Sequence, residues 1–458
     1  MSKYGLIGKN ISYSQSPFLH KIIGDYEYDL INVQDKEELK AVLADTSYDG
    51  FNVTIPYKET VLPMLDELSD KARQVHAVNC IKRMPNGMLI GFNTDVHGFK
   101  ESVGDRVNGR KCMIFGTGGA AKAAAVGLAD AGAREIIFVS RTLEALRTNM
   151  PEGIQIISYN ELDKHCDTQV IINATPVGGL DTIDKSVLSE TGNSVRVFAA
   201  LELAMDMVYN PYRTKFLQDA RRLTGCKTAS GLEMLIHQAI GSRNIWKSSN
   251  NISLFEKVAT SAIKRKMLAR QLNIVAIGMP GSGKTTIFRR YAHELKLKFI
   301  DIDQMTEELM GDTIENVLAE GGKGEEYFRQ IEHQAVLEAS KNNRAVIATG
   351  GGSILNPVNR DLLKSNGIVV YMKRPLNMLA TKGRPISQET GVEELYNQRD
   401  SIYRRVADIS IPNNETFGTS VDKKGGKNSY GYDMKVFVFH VKAIIEKYIF
   451  DIAGNKWV

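Results

Sequence analysis

The feature that most constrains this chain is a glycine-rich loop between an apolar segment and a helical one, within residues 273–295. Residues 278–285 read Gly-Met-Pro-Gly-Ser-Gly-Lys-Thr and fit G-x-x-x-x-G-K-[ST], the P-loop pattern. The β-branched run 273–277 predicts a buried strand, and residues 286–295 have helical character. In this context backbone N–H groups and the positive end of a helix face a phosphate. A chance glycine-rich turn would lack the context on both sides.

The loop predicts binding of ATP and Mg²⁺. Lys284 is expected to reach the β- and γ-phosphates, and the Thr285 hydroxyl is expected to hold the metal. Because the P-loop is shared by a large superfamily, it does not identify the group that is phosphorylated. The other nucleotide-binding candidates are Gly278, Gly281, Ser282, Gly283 and Thr286.

The composition excludes several classes of protein. The 458 residues predict two or three domains, and 43% hydrophobic with 24% charged residues is typical of a soluble globular protein. A net charge of +5 is weak support for nucleic-acid binding and also suits anionic small substrates. The four cysteines form no C-x-x-C pair, and the sequence shows neither a signal peptide nor a membrane span. We therefore expect a cytoplasmic protein without nucleic-acid or membrane partners.

Residues 4 to about 100 alternate short apolar runs with polar helical stretches, which indicates α/β structure. Ser14 and Ser16 precede a helix expected from about residue 18. Two hydroxyls at a helix start can hold a carboxylate, although a plain helix cap has the same appearance.

A second set of polar residues follows apolar segments of the same region. Lys58 comes after a segment that carries Thr54, and an amine held against a buried site can take part in proton transfer. A surface lysine at a strand end is the alternative. Asn79 and Asp95 lie at predicted strand ends, where they can hydrogen-bond a polyhydroxylated ligand, and Asp95 could pair with Lys58.

The middle of the chain predicts a dinucleotide-binding Rossmann unit. Strand 111–115 leads into G-x-G-x-x-A at 116–121 and an Ala-rich helix. After the next strand, 135–139, an arginine stands where an acidic residue would favour NAD, so we expect NADP. A βαβ crossover with glycines at its turn is the alternative. The expected NADP contacts are Gly116, Gly118, Gly119, Ala120, Ser140, Arg141 and Thr142.

These motifs occur in the order found in one enzyme family, and the first half of the chain closely resembles shikimate dehydrogenase from residue 4 to about 245. The supporting motifs include S-x-S, N-V-T-x-P-x-K, N-T-D, N-A-T at 173–175, D-M-x-Y at 206–209 and G-x-x-M-L-x-x-Q-A at 231–239. The resemblance implies that Lys58 and Asp95 are the catalytic pair. The substrate contacts that it implies are Ser14, Ser16, Thr54, Asn79, Asp95, Tyr209 and Gln238.

Later motifs bear on the substrate of the P-loop half. Two carboxylates, Asp301 and Asp303, follow the predicted strand 298–300 and can serve Mg²⁺ and a substrate hydroxyl. Residues 273 to about 412 resemble shikimate kinase. The resemblance places Asp301 on the metal side and makes Asp303 a substrate contact and the base. It also gives substrate-binding roles to Arg329, Gly351 and Arg399, and a lid role in stabilising phosphoryl charge to Arg384.

The resemblance also implies the domain boundaries. The substrate-binding domain is expected at 1–100, with 235–265 returning to it, the Rossmann NADP domain at 101–234 and the kinase domain at 266–458. Residues 247–272 are interpreted as a helix end and a linker, 413–433 as a flexible insertion and 434–450 as a closing helix.

We therefore hypothesise an α/β bifunctional enzyme that reduces 3-dehydroshikimate with NADPH and phosphorylates shikimate with MgATP; a homodimer is possible. One alternative is a quinate/shikimate dehydrogenase fused to a related small-molecule kinase. Another is a non-catalytic shikimate sensor, since related folds can lose chemistry and keep binding.

Overall fold

The computed structural model describes residues 1–12, 14–142, 154–247, 260–379, 391–414 and 434–455. The chain divides into two compact units. The first comprises Met1–Gly179, Lys185–Met267 and Asn455–Val458, and the second comprises Leu180–Asp184 and Leu268–Gly454. Both are α/β, which confirms the predicted fold class.

The first unit begins with a mixed six-stranded sheet. Its spatial order is β2-β1-β3-β5-β6-β4, with β1 parallel to β2 and β3, and β5 antiparallel to β3 and β6. Its strands are β1 (Lys3–Gly8), β2 (Glu27–Asn32), β3 (Gly50–Val53), β4 (Glu67–Leu68), β5 (Cys80–Arg83) and β6 (Leu89–Phe92). Its helices are α1 (Ser16–Ile23), α2 (Lys36–Ala44), α3 (Tyr57–Thr60), α4 (Asp70–Val75) and α5 (Asp95–Val103).

A second sheet of the same unit has six strands that all run parallel. Its spatial order, β9-β8-β7-β10-β11-β12, is the doubly wound Rossmann order, with the switch point between β7 and β10. The loops after these two strands therefore open at the same sheet edge. The strands are β7 (Lys111–Phe115), β8 (Glu135–Val139), β9 (Gln155–Ile157), β10 (Val170–Asn173), β11 (Leu203–Asp206) and β12 (Lys227–Ser230). The helices are α6 (Gly119–Asp130) and α7 (Lys215–Thr224).

Two further helices follow β12, namely α8 (Gly231–Lys247) and α9 (Thr260–Gln271). Helix α8 packs against α5 and α1, so it returns to the elements around the first sheet. The interpretation of 247–272 as a helix end and a linker was wrong for 260–271. Lys264, the first residue of the basic run there, is 1% exposed and pairs with Glu233 of α8 at 2.7 Å.

The second unit is built on a five-stranded parallel sheet of order β14-β15-β13-β16-β17. The central strand β13 is fully buried, which explains its apolar sequence, and it leads directly into the P-loop. The strands are β13 (Asn273–Ile277), β14 (Lys298–Asp301), β15 (Ala345–Ala348), β16 (Gly367–Lys373) and β17 (Ile409–Pro412). The helices are α10 (Lys284–Glu294), α11 (Ile302–Met310), α12 (Ile314–Leu318), α13 (Gly324–Ser340), α14 (Pro357–Ser365), α15 (Val392–Val406) and α16 (Met434–Gly454).

Two predicted features fall beyond what the structure describes: the lid with Arg384, and the insertion from residue 415 onward. The expected closing helix is present as α16 and extends to Gly454. Across the described part of the chain, no helix has both the length and the apolar character needed to cross a membrane.

Candidate functional sites

The first unit contains a cavity of about 300 Å³ between its two sheets. Residues from the first sheet, from the dinucleotide loop and from α8 line it. Every residue that was predicted to contact the dehydrogenase substrate is among the lining residues: Ser14, Ser16, Thr54, Lys58, Asn79, Asp95, Tyr209 and Gln238.

An ion pair in this cavity joins Lys58 and Asp95. Lys58 Nζ lies 2.7 Å from Asp95 Oδ2, and their side chains are 18% and 9% exposed. Asn79 donates to the other carboxylate oxygen at 2.8 Å. Both oxygens of Asp95 are therefore engaged, which fixes the carboxylate beside the amine.

The serine pair lies at the start of α1. Ser16 is the first helical residue, and its backbone N–H donates to Ser14 Oγ at 3.2 Å. Both serines line the cavity that holds Lys58 and Asp95. The hydroxyls thus stand at a helix N-terminus, where the backbone dipoles favour a carboxylate.

A buried hydrogen-bond network adjoins the Lys58–Asp95 pair, and it was not predicted from the sequence. Asn52 donates to Ser242 Oγ of α8 at 2.8 Å, and Ser242 Oγ lies 3.2 Å from Thr94 Oγ1. Asn79 in turn donates to Thr94 Oγ1 at 3.0 Å. Ser242 carried no local signal because it meets its partners only when α8 returns to the first sheet.

The glycine loop after β7 adjoins the Lys58 side of the cavity. Gly116 has φ +101°, a conformation that favours glycine. A Cβ at Gly118 would meet open space, and one at Gly119 would lie 3.8 Å from Lys58 Cδ. The backbone is thus bare where a dinucleotide would approach, and Ala120 lines the cavity.

The predicted ribose-phosphate contacts follow β8. Ser140 Oγ donates to Thr142 O at 3.0 Å and accepts from Thr142 N at 3.2 Å, which forms a tight turn around Arg141. Arg141 is exposed at the end of this parallel strand, where an arginine suits the 2′-phosphate of NADP.

Asp206 has a buried carboxyl group, and no role was predicted for it from the sequence. It accepts from Thr214 Oγ1 at 2.6 Å, from Asn173 Nδ2 at 3.0 Å and from Val208 N at 2.9 Å. Burial raises its pKa to about 7, and the three hydrogen bonds oppose the rise. The group joins the end of β10 to the loop after β11 that leads to Tyr209.

The second unit has its own cavity, of about 630 Å³, next to the P-loop. Its lining includes residues predicted to bind the nucleotide and residues predicted to bind the phosphoryl acceptor. The predicted residues that line it are Gly281, Gly283, Lys284, Thr285, Thr286, Asp303, Arg329, Gly351 and Arg399.

Two further P-loop residues have packing roles in the second unit. Gly278 has φ +147°, and a Cβ there would lie 2.6 Å from the carbonyl of Met372. Ser282 is fully buried, and Asn413 donates to its carbonyl at 2.7 Å. These contacts hold the loop against β16 and the chain after β17.

Asp301 is the last residue of β14, one residue further than the predicted strand, and Asp303 follows it in α11. Asp301 Oδ1 accepts from the Asp303 backbone N–H at 3.2 Å and caps α11. Asp303 is open to solvent in the cavity, yet desolvation by the surrounding protein raises its pKa to about 6, opposed by Lys284. A Cβ at Gly350 would lie 2.4 Å from Asp303 Oδ1, so a side chain there would displace this carboxylate.

The two predicted carboxylate-binding arginines are held in different ways. Arg329 Nη1 donates to the buried Glu332 at 2.8 Å and Nη2 to Glu325 at 3.0 Å. Glu332 also accepts from Ser353 at 2.6 Å. Arg399 lies on α15, whereas Arg329 lies on α13. Arg399 is 4% exposed and lines the same cavity.

The comparisons with known proteins agree with this arrangement. The family described as shikimate dehydrogenase substrate binding domain matches residues 6–81, and the family described as shikimate kinase matches residues 280–424. The shikimate dehydrogenase (NADP(+)) of Caldicellulosiruptor bescii is 37% identical over 271 residues, which is 55% of this chain and 92% of that protein. Its Clostridium perfringens counterpart is 36% identical over 257 residues, or 54% and 92%.

A solved structure is also similar to the first half. The crystal structure of shikimate 5-dehydrogenase from Listeria monocytogenes, in complex with shikimate and NAD, aligns with a TM-score of 0.50 at 27% identity. The alignment covers 58% of this chain and 96% of that one. Because the chain covers 92% of a relative that is 37% identical to it, the chain belongs to the shikimate dehydrogenase family. The second family match shows that it continues into a shikimate kinase domain.

Proposed function

We propose that the chain catalyses two consecutive reactions of the route to chorismate and the aromatic amino acids. NADPH-dependent reduction converts 3-dehydroshikimate to shikimate, and ATP-dependent phosphorylation converts shikimate to shikimate 3-phosphate. The observation that carries the proposal is that each unit has a cavity with groups suited to the same hydroxylated acid. The first offers the hydroxyls of Ser14 and Ser16, and the second offers Arg329 and Arg399.

In the first unit the chain's own task is to place the acid and move one proton. Ser14 and Ser16 hold the carboxylate, and Asn79 and Gln238 hold ring hydroxyls. NADPH, when bound along the bare glycine loop, supplies the hydride. Lys58 donates a proton to the oxygen at C3 as the carbonyl becomes a hydroxyl, and Asp95 keeps the amine oriented through the 2.7 Å contact.

In the second unit Asp303 accepts the proton of the shikimate 3-hydroxyl as that oxygen attacks the γ-phosphoryl group of ATP. Lys284 and, on the resemblance, Arg384 stabilise the negative charge on the transferred group. Arg329 and Arg399 grip the carboxylate at the far side of the cavity, and the Gly351 backbone contacts the ring.

Magnesium suits the two predicted donors, of which Thr285 lines the cavity and Asp301 does not. Among the described residues no three His, Cys, Asp or Glu side chains gather into a metal site. The Thr285 hydroxyl at the P-loop and the Asp301 carboxylate at the end of β14 are hard oxygen donors. Mg²⁺ characteristically takes few protein ligands together with phosphate oxygens. When bound there, Mg²⁺ neutralises phosphate charge.

The proposed assignment of the chain follows the sequence: residues 1–100 with 235–265 bind the acid, 101–234 bind NADP, and 266–458 form the kinase. We further expect a cytoplasmic enzyme. A homodimer is the proposed assembly, and light scattering of the purified protein measures it directly.

A single reaction tests the proposal. Purified protein is mixed with 3-dehydroshikimate, NADPH and MgATP, and NADPH loss and ADP release are followed separately. We expect both signals, with ADP release only after NADPH has been consumed. Loss of NADPH without ADP would leave the kinase substrate unidentified.

The alternative of a quinate/shikimate dehydrogenase makes different predictions about cofactor and substrate. Arg141 favours NADPH over NADH through a charge-assisted bond to the 2′-phosphate. We therefore expect Arg141→Ala to raise KM for NADPH by roughly 10-fold or more and to change KM for NADH little. Rates with NAD that match those with NADP, or turnover of quinate, would favour the alternative. Binding of shikimate without any turnover would favour the sensor.

A further inference from the structure

The kinase cavity has a buried aromatic pair behind it that no motif explained. Tyr371 of β16 and Tyr403 of α15 stack with ring centroids 4.9 Å apart and planes 22° from parallel. Tyr403 is fully buried, and Tyr371 is 1% exposed. Buried hydroxyl groups require hydrogen-bond partners, so the partner of each tyrosine hydroxyl indicates the role of that tyrosine.

The two hydroxyls have different partners. Tyr371 donates to Asp400 Oδ1 at 2.7 Å, and Arg404 binds the other oxygen of that carboxylate at 2.5 Å. Neither partner lines the kinase cavity. Tyr403 donates to the backbone carbonyl of Gly351 at 2.5 Å. Only the second contact reaches a residue of the cavity wall.

Gly351 has little freedom at this point. A Cβ there would lie 2.6 Å from Cδ of Pro280 in the P-loop, so the backbone is already pressed against the nucleotide loop on one side. The Tyr403 hydroxyl also holds the Gly351 carbonyl through its hydrogen bond. The P-loop and α15 therefore both contact the Gly350–Gly352 turn, and these contacts fix its position.

Arg399 lies one turn before Tyr403 on the same face of α15. The arginine precedes Tyr403 by four residues on α15, and its positive charge opposes the rise that burial causes in the pKa of Tyr403. Arg399 is 4% exposed and lines the cavity. Tyr403 thus bonds the glycine turn through its hydroxyl and shares a helix face with the arginine.

We propose that Tyr403 is a positioning residue of the kinase site, which sets the Gly351 backbone and the Arg399 guanidinium at the spacing that the acid substrate requires. The inference rests on the proposed phosphorylation of shikimate. Tyr403 does not line the cavity and touches no reacting atom. Its effect is therefore expected in binding of shikimate, with ATP binding unchanged.

The test uses full-length Tyr403→Phe, with Tyr371→Phe as the matched control. Both variants keep the stacked rings and lose one hydroxyl. We expect Tyr403→Phe to raise KM for shikimate about 10-fold, the effect of losing one hydrogen bond that organises a charged site, and to leave KM for ATP within about twofold. We expect Tyr371→Phe to leave both KM values within about twofold. Tyr403→Met, which removes the hydroxyl but fills the space with a flexible apolar chain, is expected to raise the same KM.

An unchanged KM for shikimate in active Tyr403→Phe would overturn this inference, and so would an equal rise in Tyr371→Phe. Failure of the proposed function has a different signature, because wild-type protein would then release no ADP with shikimate. The rate of 3-dehydroshikimate reduction in the same preparations is expected to stay at the wild-type value.

Discussion

Lys58 and Asp95 come from different helices, yet Nζ of one lies 2.7 Å from Oδ2 of the other. Asp95 is the first residue of α5, and Lys58 lies in the short helix α3 that follows β3. Asn79 engages the second oxygen of Asp95, so the carboxylate cannot rotate away without losing a hydrogen bond. The amine is thereby presented to the cavity in one orientation.

The first prediction concerns this pair. We expect Lys58→Ala to lower kcat for 3-dehydroshikimate reduction by roughly 10²- to 10⁴-fold, because the proton donor is lost. Asp95→Asn should also lower kcat, since its amide no longer holds the amine by charge. Initial rates at saturating NADPH measure both effects. Shikimate phosphorylation by the same variants is expected to stay normal.

A matched control for Lys58→Ala is Lys71→Ala. Lys71 also pairs with an aspartate, Asp130 at 2.6 Å, but its side chain is 42% exposed and it lies away from the cavity lining. Exposed ion pairs contribute little, so reduction should be unaffected. Loss of both activities in Lys58→Ala would contradict two independent sites.

The second prediction is a pH profile for the kinase. Asp303 acts as a base only when it is ionised, and desolvation raises its pKa to about 6. The phosphorylation rate should therefore rise as the pH increases through about 6 and level off above 7. Measuring kcat/KM for shikimate from pH 5 to 8 tests this expectation. In Asp303→Asn the rate should be lower at every pH and the inflection near 6 should be absent.

The third prediction concerns the glycine beside that base. In Gly350→Ala the new Cβ would lie 2.4 Å from Asp303 Oδ1, so the carboxylate must turn away from the hydroxyl that it serves. We expect a fall in kinase kcat of about 100-fold, similar to loss of a general base. Gly454→Ala is the control, because a Cβ there meets nothing within 4 Å and its backbone is not in the left-handed region. Normal kcat in Gly350→Ala would show that Asp303 does not need this position.

Much of this organisation follows from local sequence signals. The glycine patterns at 116–121 and 278–285 each lie between a strand and a helix, as the sequence predicted. The Lys58–Asp95 contact could be predicted because both residues follow predicted strands. In addition, the order of the motifs matched a family in which these two residues form a pair. Such patterns are local, and a sheet brings them together in a predictable way.

The contacts that could not be predicted depend on distant packing. Ser242 reaches Asn52 across 190 positions of sequence, and Tyr403 reaches Gly351 across 52. Neither serine nor tyrosine in a helix indicates such a partner. Lys264 was misread for the same reason, since a run of Lys, Arg and Lys is typical of a solvated linker.

The fourth prediction concerns stability at low pH. His20 is 1% exposed and stacks on Tyr28 at 3.9 Å, and burial lowers its pKa to about 3. Between pH 6.5 and 3 the unfolded chain binds a proton here that the folded chain does not, so stability falls as the pH drops below 6.5. The loss from this group is on the order of 5 kcal/mol by pH 3. Stability from this source is fully present above pH 6.5.

Urea unfolding at pH 4 to 8 measures this effect, with fluorescence of Trp246, which lies 5.5 Å from the His20 ring. His20→Phe keeps an aromatic ring and cannot be protonated, so the free energy of unfolding should depend less on pH between 4 and 6.5. His293→Gln, at an exposed position of α10, should keep the wild-type dependence. Identical profiles for wild type and His20→Phe would assign the acid sensitivity to other groups.

The fifth prediction tests the buried ion pair between α8 and α9. Lys264 donates to Glu233 at 2.7 Å and also to the backbone carbonyl of Asn455. Lys264→Met leaves the Glu233 carboxylate without its cation, which costs about 3–5 kcal/mol and should lower the first unit's unfolding temperature by about 10 °C. Lys266→Met changes an exposed residue of the same basic run and should shift it by less than about 1 °C. Calorimetry of the full chain distinguishes these outcomes, and the double variant Lys264→Met/Glu233→Met should recover part of the loss, because no buried charge is then left unpaired.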